Sequence, residues 1–565
     1  MNSTDPFRLE VLRQALVATA EEMSIAVWRT SRSTVVRELL DYSTAVFDAD
    51  GRNVAQSARL PNHLNSMGPC LQGLLETYLP VDQWEEGDVI LTNDPYCGAQ
   101  HLPDLVVFRP VFFEGRRIAI TGAMAHHVDV GGGAAGSYDA KATDIFQEGI
   151  RIPPLHLIKR GVLNAQVLDL ILRNVREPDM VKGDLFSQIA SLSIGQASIL
   201  KLATKYGASF LTDAAARIIA ESERRMRSAI SAVPDGVYRF EDFLDDDGIT
   251  ADPFRIAVTL TIEGDRMLVD LSGSSPQATG PINCTLNMTK SGIYYALIAA
   301  IAGDVPANAG CYAPIEVIAP AGSVVNCRFP APVVARIAVC HRVVNVIMGA
   351  LAQAVPDRIP ASYYGVSYVY ALEALHADGS RQVYLDAEIG GYGADSEDDG
   401  ASALSAGIHN IPNTPIEMIE AMYPVTFTEY GVRPDSGGAG RQRGGLGVIR
   451  EWRLDAPQGI LAAAFDRFKF APYGLFGGGP GGLGRLSLRR NGAVEELDSK
   501  VAGIRLRRGD IVRVETSGGG GYGEPGERRR QALESDLANG FVSPSQAREL
   551  YGWRSTEAEQ AATAR

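Results

Sequence analysis

What this chain lacks narrows its function before any motif is considered. It contains no run of about 18 apolar residues, the length a membrane-spanning helix needs. The opening residues, Met1-Asn-Ser-Thr-Asp-Pro6, lead into a polar amphipathic segment with no apolar core of signal-peptide length. A soluble, cytoplasmic protein without a membrane partner is therefore expected. Basic residues are too few and too scattered for nucleic acid to be the main partner. There are 53 Lys and Arg against 67 Asp and Glu, the net charge is −14, and the longest basic run is Arg528-Arg529-Arg530. Cysteine is scarce as well. The six thiols form no C-x-x-C pair and show no secretory spacing, so reduced, mostly buried cysteines are expected. Internal repeats and coiled-coil heptads are also missing.

What is present has a globular balance, 45% apolar and 21% charged, over 565 residues. That length suggests about three or four structural units. Asp5-Pro6 reads as a helix cap followed by proline at the first helical position, and Phe7, Leu9, Leu12, Leu16 and Val17 continue at helical spacing. Ser43–Phe47 and Arg52–Ala55 flank Asp48-Ala-Asp50-Gly51, a hairpin signal that explains Asp48 and Asp50 as turn residues but leaves Asp41 unexplained. Leu105–Phe113 and Arg116–Ala125 form a second hairpin across Glu114-Gly115. From Asn164 to about Ala232 the pattern is helical; from Gly236 it turns to strands, with a helix near 292–301 and a strand- and Gly-rich stretch over 380–525. The expected class is α+β. Its regions are 1–235, ending in a helical layer; 236–525, mixed α/β; and 526–565, a charged helical tail.

The densest chemical signal lies near the start. Four of the eight histidines, His63, His101, His126 and His127, fall within 65 residues, where even scatter would leave about one. They stand beside Asp104 and Asp129, and imidazole with carboxylate is what a first-row divalent cation requires. The N-terminal region is thus read as metal-bearing. If Phe113 faces Arg116, both His-Asp motifs meet at one end of the hairpin. Strict alternation then places His127 on the face of Asp104, whereas a single bulge substitutes His126.

Taken in order, Leu40-Asp-Tyr-Ser43, Asn93-Asp-Pro95, His101-Leu-Pro-Asp104, His126-His127-x-Asp129-x-Gly-Gly132, Asn308-Ala-Gly-Cys311, Asn413-Thr-Pro-x-Glu417, Arg433-Pro-Asp-Ser-Gly-Gly-Ala-Gly440 and Ser517-Gly-Gly-Gly-Gly-Tyr-Gly523 resemble the hydantoinase B/oxoprolinase family. The resemblance spans residues 5 to 525 and implies the B-type subunit of an ATP-dependent amidohydrolase acting on cyclic amides. It also implies a hetero-oligomer in which an A-type partner holds the ATP, consistent with the missing Walker A sequence. It further implies a divalent metal, with Asp41, His101, Asp104 and His126 as ligands; such donors suit Zn, Mn or Fe. His63, His127 and Asp129 are then the expected proton-handling residues, His63 because an imidazole pKa of about 6.5 suits transfer near neutrality. Asn93 and Asp94 are expected to support the ligands from a turn.

Two other readings accompany that one: a subunit of an acetone-carboxylase-like carboxylase, and a noncatalytic metal-stabilised scaffold for the A-type partner. The chain departs from the family pattern over Asp466–Tyr473 and Val333–Arg342, where Cys340-His341 replaces small polar residues, and substrate identity turns on such differences. Gly477–Gly482 and Gly518–Gly523 formally match a dinucleotide fingerprint. Neither opens a helix, so close backbone packing or a lid is expected instead.

Overall fold

The computed structural model describes residues 6–554, apart from the side chain of Leu64. The first helix, Pro6–Thr30, buries Leu12, Leu16, Ala20, Met23 and Val27, a helical stripe. Its expected cap, Asp5, lies outside the described residues.

A seven-stranded antiparallel sheet carries the N-terminal half. Its strands are β1 (Tyr42–Asp48), β2 (Asn53–Gln56), β3 (Val89–Thr92), β4 (Asp104–Phe113), β5 (Arg116–His126), β6 (Leu155–Lys159) and β7 (Val162–Leu163), in the order β2-β1-β5-β4-β3-β6-β7. Both hairpins expected from the sequence form. In the β4–β5 turn Glu114 and Gly115 take φ of 50° and 75°, the positive values a two-residue loop of this hand demands.

Alternation along β4 and β5 sorts their side chains onto two faces. Val106, Phe108, Ile120 and Met124 pack with Met67, Leu71 and Leu74 of the helix Pro61–Thr77. Leu105, Val107, Ala119 and Ala123 pack with the helices Pro6–Thr30 and Pro178–Tyr206 on the other side. The expected helical stretch is three helices, Ala165–Leu172, Pro178–Tyr206 and Ala208–Ser231, the last two separated at Gly207, whose φ is 90°.

Beyond residue 235 stand three further sheets. One is four-stranded and contains a parallel pair, Arg266–Asp270 with Ile315–Ile318. The other two have four and five strands and occupy residues 368–515, joined by glycine-rich loops. The two glycine runs resolve as close packing. A Cβ on Gly518 would lie 1.8 Å from the Ser436 carbonyl oxygen, and one on Gly519 would lie 2.0 Å from that of Tyr392. The largest apolar core runs from Val35 to Val514 and crosses residue 235 without a break.

The tail is helical over Arg530–Ala538 and Pro544–Tyr551, pinned by Arg528 to Asp399 and Asp536; residues 555–565 lie outside the described residues. Among the described residues no helix is long and apolar enough to cross a membrane. The six cysteines are buried and unpaired, as expected.

Candidate active site

The β4–β5 register decides between the adjacent histidines. Phe113 faces Arg116 and Phe112 faces Arg117, but Val111 faces Ala119, leaving Ile118 as an extra residue on β5. That bulge moves every later pair by one, so Asp104 stands opposite His126. Both side chains then share the face covered by the helix Pro61–Thr77, whose first turn supplies His63. Asp41 is held beside them because its carbonyl accepts the His126 N–H at 3.0 Å, one residue ahead of the pairing of β1 with β5. His101 sits one turn before Asp104, with the Asp104 N–H donating to the His101 carbonyl at 3.1 Å.

The resulting cluster is tight. His63 Nε2 lies 3.4 Å from Asp41 Oδ1 and 3.4 Å from Asp104 Oδ1, while His101 Nδ1 approaches Asp104 Oδ2 at 2.8 Å. The rings of His101 and His126 are tilted with centroids 4.9 Å apart. Arg336 Nη2 completes the group, 3.1 Å from Asp104 Oδ2. All of these except Asp41 are buried.

Burial shapes the charges. It holds His101 down to about 4, with Arg336 adding to the effect, and holds His126 well below the usual imidazole range, so both rings are neutral at neutral pH. Desolvation of its buried Oδ1 end also pushes Asp41 up to about 6, against the opposing pull of His63. For Asp104, burial is outweighed by His101 and His63, and its carboxyl stays well below the ordinary value. For His63, burial is likewise outweighed by Asp104 and Asp41, and its pKa is raised.

The donor set fits a divalent cation. Asp41 Oδ1, Asp104 Oδ1, His101 Nδ1 and His126 Nδ1 are buried and make no well-aligned hydrogen bond, His101 Nδ1 despite its approach to Asp104. Such an arrangement is costly for polar atoms that have no other occupation. Neutral imidazoles beside an ionised carboxylate are also the protonation states ligation requires. The shell is not preassembled: among the described residues no three His, Cys, Asp or Glu side chains are grouped as a ready metal site. Asp104 Oδ2 is instead engaged by His101 and Arg336, so ligation needs side-chain rotation.

Two expected residues lie elsewhere. His127, one position beyond His126, turns to the opposite face of the sheet, where Nε2 meets Gln188 Oε1 at 3.0 Å. Asp129 is saturated by the N–H groups of Gly131, Gly136 and Arg176 and by the Arg176 guanidinium. Neither lines the pocket. Both residues expected to handle protons are thus engaged away from the pocket, His127 by the helix Pro178–Tyr206 and Asp129 by its own loop and Arg176. Asn93 behaves as the turn reading expected of a supporting residue, donating to the carbonyls of Leu102 and Ile150 and so fixing the loop that carries His101. Asp94 caps the turn Pro95–Cys97 and pairs with Arg151.

Sequence reasoning missed the rest of the pocket. Arg336, Asn62, Tyr138, Ser367 and His409 line it together with Asp41, His63, His101 and His126. Gln100 clamps the arrangement: its amide donates to the Asn62 carbonyl and to Ser66 Oγ, and its oxygen accepts from Arg336. Ser367 and His409 come from loops more than 240 residues after Asp104, and no local pattern marks them.

Comparison with known proteins adds the following. The hydantoinase B/oxoprolinase family profile matches residues 5–525. A protein of Pseudomonas sp. (strain NS671), provisionally named as the B-type subunit of a D-/L-hydantoinase, is 34% identical, with 99% of this chain and 97% of that protein covered. The caprolactamase beta chain of Pseudomonas jessenii is 31% identical over 98% of this chain and 96% of its own length. The crystal structure of the ATP-dependent caprolactamase from the same organism superposes with a TM-score of 0.92 at 30% identity, covering 100% of this chain and 99% of that one. Acetone carboxylase in its nucleotide-free structure gives 0.90 over 99% of this chain and 82% of that chain, at 18% identity, a likeness of fold alone.

Proposed function

We propose, since this chain belongs to the hydantoinase B/oxoprolinase family, that it is the hydrolytic subunit of an ATP-dependent enzyme that opens cyclic amides. ATP is held by a separate A-type partner, which activates the substrate carbonyl. Relatives named as the B-type and beta components of larger enzymes support a partnered role, and a caprolactamase supports the cyclic amide as the substrate class. An unstrained amide resists hydrolysis because its carbonyl is resonance-stabilised and its amine leaves poorly, so activation by ATP removes the main obstacle.

Asp41, His101, Asp104 and His126 are the residues to hold a divalent ion. When bound, such an ion supplies Lewis acidity and makes a neighbouring water more acidic. His63 handles the proton: Nε2 sits between two carboxylates, and its backbone N–H is fixed at 2.9 Å on Asn62 Oδ1. Arg336 pairs with Asp104 and balances its charge. The buried Leu39, Ile337 and Leu385 wall excludes bulk solvent, which strengthens these electrostatic interactions.

The observation that carries this reading is the convergence of four buried donor atoms without hydrogen-bond partners, from two strands and two loops: three belong to residues lining one pocket, and the fourth, Asp104 Oδ1, lies 3.4 Å from Nε2 of the pocket-lining His63. The chain purified with its A-type partner is expected to open cyclic amides only when ATP is supplied, and the chain alone to be inactive. Asp104→Ala and His126→Ala are each expected to lower turnover of the complex by at least about 100-fold, since even residues that only support metal ligands are worth about 10–100-fold. Turnover that survives both substitutions contradicts the assignment.

A further inference from the structure

Away from the carboxylate-histidine cluster, the start of one helix stands unsatisfied. The helix Leu286–Ile301 is 16 residues long, and its first bond runs from the Thr289 N–H to the Thr285 carbonyl at 3.1 Å. The N–H groups of Leu286, Asn287 and Met288 precede that bond, and among the described residues none of them has an acceptor. Thr285 occupies the capping position, where a hydroxyl ordinarily accepts one of those N–H groups, yet its side chain accepts none. Thr285 is only 6% exposed, and its Oγ1 is buried without any hydrogen-bond partner. A capping residue in the right place has been left uncommitted.

This helix start borders a hollow of about 290 Å³ that shares no lining residue with the candidate active site. Thr285, Leu286, Asn287 and Lys290 line it from the helix, and Pro95 and Tyr96 line it from the turn after β3. Lys290 follows Leu286 by four residues and Asn287 by three, on the same face. Helical side chains lean toward the N-terminus, so its ammonium adds to the positive end of the helix dipole. Lys290 makes no ion pair among the described residues, and no Asp or Glu lines the hollow. On a chain of net charge −14 this is a local concentration of positive potential. The helix start is also anchored: Asn287 Nδ2 donates to the Ser66 carbonyl at 3.1 Å and to the Gly98 carbonyl.

We infer that this hollow binds a phosphate group, either the free ion or a small phosphomonoester. Five groups are available to donate: the N–H groups of Leu286, Asn287 and Met288, the Thr285 hydroxyl and the Lys290 ammonium. A carboxylate offers about four lone-pair sites, whereas the three terminal oxygens of a phosphoryl group offer about six and carry up to two charges. Unpaired N–H groups at the positive end of a helix are the general form of a phosphate site. Pro69, Pro95 and Tyr96 supply an apolar border on which the organic part of an ester can rest. The ligand is held by charge and hydrogen bonds, and no covalent bond changes.

This site stands apart from the cyclic-amide reading, and its test needs neither turnover nor a partner. The full chain, in chloride buffer at constant ionic strength, is titrated calorimetrically with inorganic phosphate and, separately, with phenyl phosphate. Hydrogen–deuterium exchange of the peptide covering residues 284–291 locates the binding. One saturable site is expected, with exchange slowed in that peptide. Lys290→Gln is expected to weaken binding at least about tenfold, and Thr285→Val about fivefold. Neither substitution threatens the fold, since Lys290 is half-buried without a partner and valine replaces an unpartnered hydroxyl with a methyl group; unchanged urea midpoints check this. Tighter binding of phenyl phosphate assigns the site to a monoester, and equal or tighter binding of inorganic phosphate assigns it to the free ion. Absence of saturable binding of either up to about 10 mM, affinity that neither substitution alters, or binding that leaves exchange over 284–291 unchanged overturns the site.

Discussion

Two buried polar clusters in this molecule invite comparison. Around Asp466 in the C-terminal half, Arg342, Arg467 and Lys500 surround three carboxylates, and every carboxylate oxygen has a partner. Asp466 binds the Arg342 guanidinium and the Lys500 ammonium, Asp242 binds the Arg467 guanidinium, and Asp245 accepts the N–H groups of Phe468, Lys469 and Phe470. Only the Nε donors of Arg342 and Arg467 are left over there. Around Asp104 the balance is reversed: acceptor atoms of Asp41, Asp104, His101 and His126 are buried and unmatched. Both clusters are largely hidden from water. Burial and charge therefore do not distinguish the two clusters; the state of their acceptors does.

Removing a member of each cluster should separate the two. Asp466→Ala removes the carboxylate that pairs with the Arg342 guanidinium and the Lys500 ammonium in the interior and is expected to destabilise the fold by about 3–5 kcal/mol, seen as a lowered midpoint in urea, with metal content per folded chain unchanged. An unaltered midpoint would make the C-terminal network dispensable and weaken the contrast.

A smaller effect is expected at Gln188, which donates to the carbonyls of Leu105 and Ala123 and meets His127 behind the sheet. Gln188→Ala should cost about 1–3 kcal/mol through the polar groups it leaves unpaired. The affinity of the chain for a divalent ion, measured by titration, is expected not to change. A drop in affinity would tie His127 to the site after all.

A pH-dependent effect concerns Glu148, a third buried acid, whose Oε1 accepts the N–H groups of Val333 and Val334 just before Arg336. Burial, only partly offset by those two bonds, pushes its pKa up from 4.5 to about 8. Between these values the folded chain keeps a proton that the unfolded chain has released, so stability falls as pH rises through that window, by about 1.4 kcal/mol per pH unit. Glu148→Gln preserves the acceptor and should flatten the slope in urea titrations across pH 5 to 8. Parallel curves for both proteins would show that the group is ionised throughout.

How far the sequence disclosed these clusters depended on the distance over which each was assembled. Asp41 stood out because its neighbours Asp48 and Asp50 had a turn to explain them and it did not. The β4–β5 hairpin was legible from Glu114-Gly115 and alternating apolar residues, and it brought both His-Asp motifs together. The choice between His126 and His127 was not legible, because it depends on one bulged residue, Ile118, in an otherwise regular apolar strand. Resemblance to the family favoured His126 where simple counting favoured His127, and the register pairs His126 with Asp104. The roles expected of His127 and Asp129 came from proximity in sequence, which strand alternation and the Arg176 contact undo. Arg336, Ser367 and His409 reach the pocket through tertiary packing alone, and periodicity holds no trace of such contacts. The glycine runs were recognisable as non-nucleotide sites from the missing helix, but their interlocking with Ser436 and Tyr392 is a property of the folded chain.

Metal content of the purified chain, measured by elemental analysis beside Asp104→Ala and His126→Ala variants with unchanged urea midpoints, tests the account most directly. The account predicts about one divalent ion per wild-type chain and nearly none in either variant. Equal metal content in all three proteins, or a wild-type complex that opens its substrate at full rate after the metal has been stripped by a chelator, would contradict it.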